Sequence, residues 1–191
     1  MTKYIILASA SPRRRELLDQ INVEYQVFPV DIDETPLAFE SPLAYVQRVA
    51  AEKSAACLAK HGNDVPVLAA DTVVVLGDMI LGKPKDQEDG LNMLRLLSGR
   101  THHVYTALSL RGSQHYQSVC CTQVSFRPLT EREILAYWQT GESLDKAGAY
   151  AIQGRGGLFV ESITGSFSGV VGLPLFETAQ LLALQGIELF A

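Results

Sequence analysis

The chain has 191 residues, 47% of them hydrophobic, and a formal net charge of −5; this fits one sizeable α/β domain over residues 1–191, drawn out into two lobes. The acidic balance argues against a general grip on nucleic acid, yet leaves room for a local basic pocket that holds a small polyphosphate. Three cysteines without metal-ligand spacing, an opening too short for a leader (Lys3, then a brief apolar run) and no run near the ~20 apolar residues of a membrane span lead us to expect a soluble cytoplasmic protein.

In chain order, Tyr4–Ala8 reads as a buried strand, and a helix follows over Pro12–Gln20 with Ser11 as N-cap and Pro12 in its first turn. Glu24–Phe28 pairs as a second strand, and the proline-rich, acidic stretch Pro29–Glu40 is a loop. Ser41-Pro42 opens a long helix that Gly62 stops, its apolar stripe running through Val46, Val49, Ala50 and Cys57. Pro66–Leu76 reads as a central strand, and Gly77-Asp78 turns it into Met79–Leu81. Asp86 caps a helix to Leu97, and two longer strands, His102–Leu110 and Gln117–Phe126, flank a Gly-Ser turn. Thr130 and Glu133 fit a capping box that opens a helix to Gln139. The glycine-rich region from Gly148 to Gly172 carries short strands at Leu158–Ile163 and Ser168–Val171, and Pro174 starts a final helix to Leu184.

Several residues in this frame suggest chemistry. Ser9-Ala10-Ser11-Pro12-Arg13-Arg14-Arg15 puts three arginines into a first helical turn, where the helix dipole is already positive. A bound anion would relieve that frustration, because free helix N–H groups and arginine forks both suit phosphate oxygens. Asp71 stands in an apolar strand beside the small pair Ala69-Ala70, which leaves room for a ligand. A lone carboxylate there accepts backbone bonds at a bulge, or serves a cleft as base for a water, as metal ligand, or as both. Lys53 falls on the apolar stripe of the long helix and either runs to the rim or turns its ammonium into a pocket. Lys83, between Gly82 and Pro84, can be held as a point charge for phosphate. In Asp145–Gly154, Gln153 is either a loop amide or a reader of a base, since an amide donates and accepts as the edge of uracil or thymine requires. His102 and His103 are neighbours that face opposite sides of a strand, which speaks against zinc. No GxxxxGK[ST] loop, GxGxxG or GxSxG occurs.

Taken together, Ser9–Arg14, Ala70-Asp71-Thr72, Gly82-Lys83-Pro84, Ser98-Gly99 with Thr101-His102, Asp145–Gly154 and Val171–Pro174 resemble, in order, the Maf family of nucleoside triphosphate pyrophosphatases. The segment Asp145–Gly154 is similar to the branch acting on dTTP and UTP rather than on 7-methyl-GTP. Two positions depart from the pattern: Ala70 stands where that branch usually has Gly, and Lys85 where Arg is frequent. The resemblance implies a mixed α/β fold with a long twisted sheet flanked by helices, two lobes about a central cleft as in ITPase-like proteins, and a homodimer. It implies cleavage of a pyrimidine nucleoside triphosphate, modified ones included, to monophosphate and pyrophosphate with Mg²⁺ or Mn²⁺. In that reading Asp71 is the base, and Glu34 and Asp71 are the metal residues. Ser9, Arg13, Arg14, Lys53, Thr72, Lys83, Lys146 and Gln153 bind substrate, with Arg13, Thr72 and Gln153 discriminating the base. The competing expectations are a nucleotide-binding regulator of cell division that needs no turnover, and a 7-methyl-GTP pyrophosphatase.

Overall fold

The structure, a computed structural model, describes residues 4–62 and 64–190; Lys3, weighed above against a leader, lies outside them. Strand β1 (Tyr4–Leu7) leads into helix α1 (Pro12–Gln20), and β2 (Glu24–Val27) returns parallel to β1. The loop 28–41 precedes the long helix α2 (Pro42–His61), which Ser41 caps by accepting from the Ala44 N–H. Next come β3 (Val67–Leu76), β4 (Met79–Leu81), α3 (Gln87–Leu97), β5 (Thr101–Arg111) and β6 (His115–Phe126). After α4 (Glu131–Trp138), which opens with the expected capping box of Thr130 and Glu133, lie two 3₁₀ turns, strand β7 (Val160–Thr164) and helices α5 (Phe167–Val171) and α6 (Leu175–Leu184). The sheet runs β2-β1-β3-β5-β6-β7 with β4 beside β3, parallel on the β1 side of β3 and antiparallel from β3 through β7. Mixed α/β, with helices on both faces, is therefore the observed class.

The pleat of β3 explains its composition. Val73 and Val75 pack with Val46, Val49 and Ala50 of α2, while Leu68, Ala70 and Val74 join the larger core that α3, α4 and α6 close on the other face. Each fully buried aliphatic here contributes about 1.5–3 kcal/mol of burial. More important for function is where β3 loses a neighbour. Its pairing with β1 ends at Leu7↔Leu68, and its pairing with β4 begins at Val74↔Leu81, while β5 lines the other edge throughout. Between those two points the edge is open, and Asp71 and Thr72 sit in the gap. Although successive strand residues face opposite sides, both reach the opening.

Three local expectations are corrected. Ser168–Val171 is helical rather than a strand, because Ser166 caps the turn by accepting from the Gly169 N–H at 3.0 Å. The Leu158–Ile163 strand begins two residues later, since Arg155–Phe159 coils as 3₁₀ before Val160 pairs with Phe126. Ser11 occupies the N-cap of α1, but its side chain makes no capping bond; its N–H donates instead to Ser9 Oγ at 3.2 Å.

Candidate active site

The gap in β3 opens into a cleft of about 670 Å³, and all ten residues singled out above line it: Ser9, Arg13, Arg14, Glu34, Lys53, Asp71, Thr72, Lys83, Lys146 and Gln153. Arg15 does not. The room does not come from Ala69 and Ala70, which are wholly buried and outside the cleft; it comes from the missing strand neighbour. Five cations and three carboxylates line the space, so a chain with net charge −5 turns a positive surface inward. Among the described residues only one of the five cations, Lys53, holds an ion pair within 4.0 Å.

Lys53 decides its two sequence readings in favour of the pocket. Its ammonium lies 2.8 Å from Asp71 Oδ1 and 2.9 Å from Glu34 Oε1. Asp71 Oδ2 takes no hydrogen bond from the described residues. Burial pushes the Asp71 carboxyl above its ordinary value, against the pull of Lys53 and Arg14. An acid held part-way toward protonation suits a proton acceptor better than a permanently solvated carboxylate does.

Arg14 is fixed by neutral acceptors alone. Nε donates to the Gly172 carbonyl at 2.8 Å, one terminal nitrogen to Ser9 Oγ at 3.0 Å and the other to Thr72 Oγ1 at 3.3 Å. Because Thr106 Oγ1 donates to the Gly169 carbonyl at 2.7 Å, the 2.9 Å contact between Thr72 and Thr106 must be donated by Thr72. The chain of bonds therefore runs one way, from Arg14 through both threonines to α5. Ser9 Oγ likewise accepts from Ser11 N and Arg14, which leaves its own proton for a ligand. Burial lowers the pKa of Arg14 and of Arg13 from the usual arginine value, the mark of guanidinium groups that a ligand anion would stabilise.

The chain as a whole is similar to known proteins. The family description "Maf-like protein" matches residues 4–185. The chain belongs to the Maf family. The dTTP/UTP pyrophosphatase of Methylococcus capsulatus is 53% identical over 184 residues, covering 96% of this chain and 91% of that protein. The dTTP/UTP pyrophosphatase of Myxococcus xanthus is 52% identical, covering 97% and 94%. That of Shewanella frigidimarina is 53% identical, covering 93% and 95%. Among solved structures, a nucleoside-triphosphatase / dITP/XTP pyrophosphatase from Mycobacterium abscessus aligns at TM-score 0.45 and 16% identity over 66% of this chain and 75% of that one.

In this Maf protein the far end of the cleft is built differently. Lys83, Lys146 and Gln153 come from loops: Gly148 N donates to the Gly82 carbonyl at 3.0 Å, which ties the Lys83 loop to the first 3₁₀ turn. Burial and nearby Arg13 lower the Lys146 pKa. The Gln153 amide makes no hydrogen bond to the described residues and is free for a ligand. Asp145 and Ala149 both adopt positive φ, 61° and 58°, an uncommon conformation for residues with a Cβ. Tyr150 anchors the segment, its hydroxyl 2.8 Å from Nε2 of fully buried His102. Burial drives the His102 pKa down to about 4, so the ring is neutral at physiological pH. His102, fully buried and outside the cleft, thus supports Tyr150 from the core.

Some site residues escaped the sequence reading. Tyr45 donates to the Glu34 carbonyl at 2.9 Å, and its own pKa is pushed up to about 12 by burial and by Asp71 and Glu34. Arg48 grips Glu40 with two bonds of 2.7 and 2.8 Å and reaches the Thr35 carbonyl at 3.1 Å. The hydrogen bonds from Arg48 hold the Glu40 carboxyl down at about 2. Together the two strap the acidic loop to α2 and bring Glu34 onto Lys53. Only the clustering of acids before Ser41 hinted at this; the partners, 8, 11 and 13 residues away, left no local pattern.

Proposed function

We propose that this Maf protein hydrolyses dTTP and UTP to the monophosphate and pyrophosphate, with Asp71 as base. The observation that carries the reading is that four cations without an ion pair among the described residues, Arg13, Arg14, Lys83 and Lys146, surround a cleft that holds a Lys53-bound, largely buried carboxylate. The relatives named for dTTP and UTP support the same substrates. In the step itself, Asp71 Oδ2 takes a proton from a water whose oxygen attacks the α-phosphorus. The bond from that phosphorus to the bridging oxygen breaks, and pyrophosphate leaves with the bond's electrons. Arg14, Arg13 and Lys83 bind the phosphate oxygens, and Ser9 donates its hydroxyl to one of them. Positioning and fixed charge of this kind supply most of the acceleration in phosphoryl chemistry. Lys53 holds Asp71 in place and offsets charge that builds up on the leaving group. Gln153, with Thr72 and Arg13, reads the base, and Lys146 adds a charge at that end.

A divalent cation fits this donor set. Glu34 and Asp71 converge tightly enough to share one ammonium, and Mg²⁺ is commonly held by one or two carboxylates together with substrate phosphates. No group of three or more His, Cys, Asp or Glu among the described residues would hold a metal without the nucleotide. When bound by Glu34, Asp71 and the phosphates, Mg²⁺ or Mn²⁺ would neutralise phosphate charge and polarise the reacting centre. The family resemblance further supports a cytoplasmic homodimer acting on free nucleotides; no helix among the described residues is long and apolar enough to cross a membrane.

Pyrophosphate release from UTP, dTTP, CTP, GTP and 7-methyl-GTP, with Mg²⁺ or Mn²⁺, tests the reading. Release from UTP and dTTP above the others is expected. Preference for 7-methyl-GTP would reassign the branch, and nucleotide binding with silence across the panel would make the protein a regulator.

A further inference from the structure

The segment that presents Gln153 has little regular structure, yet its backbone is held at three points by two side chains. Tyr137, on α4 and only 3% exposed, accepts from Ala151 N at 3.0 Å and donates to Glu142 Oε1 at 2.8 Å. Glu142 in turn accepts from Gly156 N through Oε1 and from Arg155 N through Oε2, each at 2.9 Å. The bonds fall at residues 151, 155 and 156, and so bracket Gln153 on both sides. Neither Tyr137 nor Glu142 lines the cleft, so neither reaches a nucleotide there.

Two glycines make this approach possible. A Cβ on Gly154 would lie 2.3 Å from Glu142 Oε2, and one on Gly156 would lie 2.6 Å from the Ala151 carbonyl and 2.8 Å from the Tyr137 hydroxyl. The spacing Gln153-Gly154-Arg155-Gly156 is what a carboxylate needs in order to dock against the chain from behind. Burial by itself would raise the Glu142 carboxyl, but the bonds from Gly156, Arg155 and Tyr137 outweigh it and hold the group below its ordinary value. At neutral pH it is a full acceptor, and charge-assisted bonds of this type are the strong ones.

We propose that Tyr137 and Glu142 form a positioning clamp that sets the base preference of the enzyme by fixing Gln153 at the cleft. The proposal rests on the pyrophosphatase reading above and deepens it. An amide discriminates between bases only if it is held to within about 0.5 Å of its productive position. Among the described residues the Gln153 side chain has no hydrogen-bond partner, so its place is set by the backbone on either side, and that backbone is set by the clamp. Selectivity thus depends on two residues that never touch the substrate.

The test is steady-state kcat and KM on UTP, dTTP, CTP and GTP for wild type, Tyr137→Phe and Glu142→Gln, with thermal midpoints and amide exchange over residues 151–156. Tyr137→Phe removes only the hydroxyl, and Glu142→Gln sets an N–H donor against a backbone N–H without changing shape. We expect kcat/KM on UTP and dTTP to fall about tenfold, mostly through KM, while CTP and GTP stay within about twofold. Exchange over 151–156 should quicken. Equal losses on all four substrates, or an unchanged preference in a variant that merely melts earlier, would overturn the clamp and leave the pyrophosphatase reading standing. A wild type silent on all four would remove both, since no preference would exist to be set.

Discussion

The two ends of the cleft are made from different material. At the end proposed for the phosphates, Ser9, Arg14, Lys53 and Asp71 sit on or beside β1, α1, α2 and β3, and their bonds connect regular elements to one another. At the end proposed for the base, Lys146 and Gln153 stand on loops and 3₁₀ turns that side chains from behind hold in place. The difference teaches a division of labour. Chemistry needs charges fixed on elements that cannot move without unfolding the sheet, whereas recognition of a base can be carried by a loop, provided that loop is clamped. Substitutions at the first end should therefore cost turnover on every nucleotide, and those at the second should cost preference.

The sharpest way to break that division is Asp71→Asn. The change keeps the shape and removes the proton acceptor, and we expect kcat to fall by roughly 10²–10⁴-fold on all nucleotides, with binding of a non-hydrolysed nucleotide, read by titration calorimetry, nearly intact. Residual activity near wild type would take Asp71 out of the reaction. Next in size is Lys53→Met, with an expected loss of about 10²-fold and a signature in pH. As the proposed base, Asp71 would act only when ionised, so kcat/KM should fall as pH drops through its pKa, which burial already raises. Removing Lys53 takes away the strongest influence that lowers it, so the acid limb should move to higher pH. A limb that stays put while activity falls would show that the titrating group is not Asp71.

That Asp71 and Arg14 are drawn to one cleft was legible in the chain, because a carboxylate in an apolar strand and arginines at a helix start are each costly unless something uses them. The elements were legible for the same local reasons: apolar periodicity, Ser41, Asp86 and the Thr130–Glu133 box. The gap in β3 was not, since it depends on where β1 stops pairing with β3 and β4 begins, which is a property of three segments together. Crediting Ala69 and Ala70 with the space was wrong on that account. Helix α5 was missed because five residues carry no periodicity. Glu142 was invisible because the N–H groups it satisfies lie 13 and 14 residues away, and a glutamate in a polar turn resembles any other.

At the base end, Gln153→Ala should cost about one hydrogen bond's worth of preference, tenfold or slightly less between UTP and CTP, with kcat on either little changed. It also sharpens the clamp: once the amide is gone, adding Glu142→Gln should cost no further preference, because both changes act through one contact. Additive losses would mean that Glu142 works through some other part of the site.

The smallest effect belongs to Arg48→Ala, and it asks how far the rigid end extends. Arg48 straps the acidic loop to α2 through Glu40 and the Thr35 carbonyl, but Glu34 remains 47% exposed at its side chain while Asp71 is 10% exposed. An ion pair open to solvent contributes little against screening and side-chain entropy. Loosening the loop should therefore weaken Glu34's hold on Lys53 without disturbing the Lys53–Asp71 contact, whose partners lie on α2 and β3. We expect kcat/KM to fall about two- to fivefold, alike on UTP and CTP, with the acid limb of the pH profile unmoved. A loss as large as that of Lys53→Met, equally deep at high magnesium, would place Glu34 and its loop among the fixed charges of the reaction, and the boundary between the two ends would have to be redrawn at the loop.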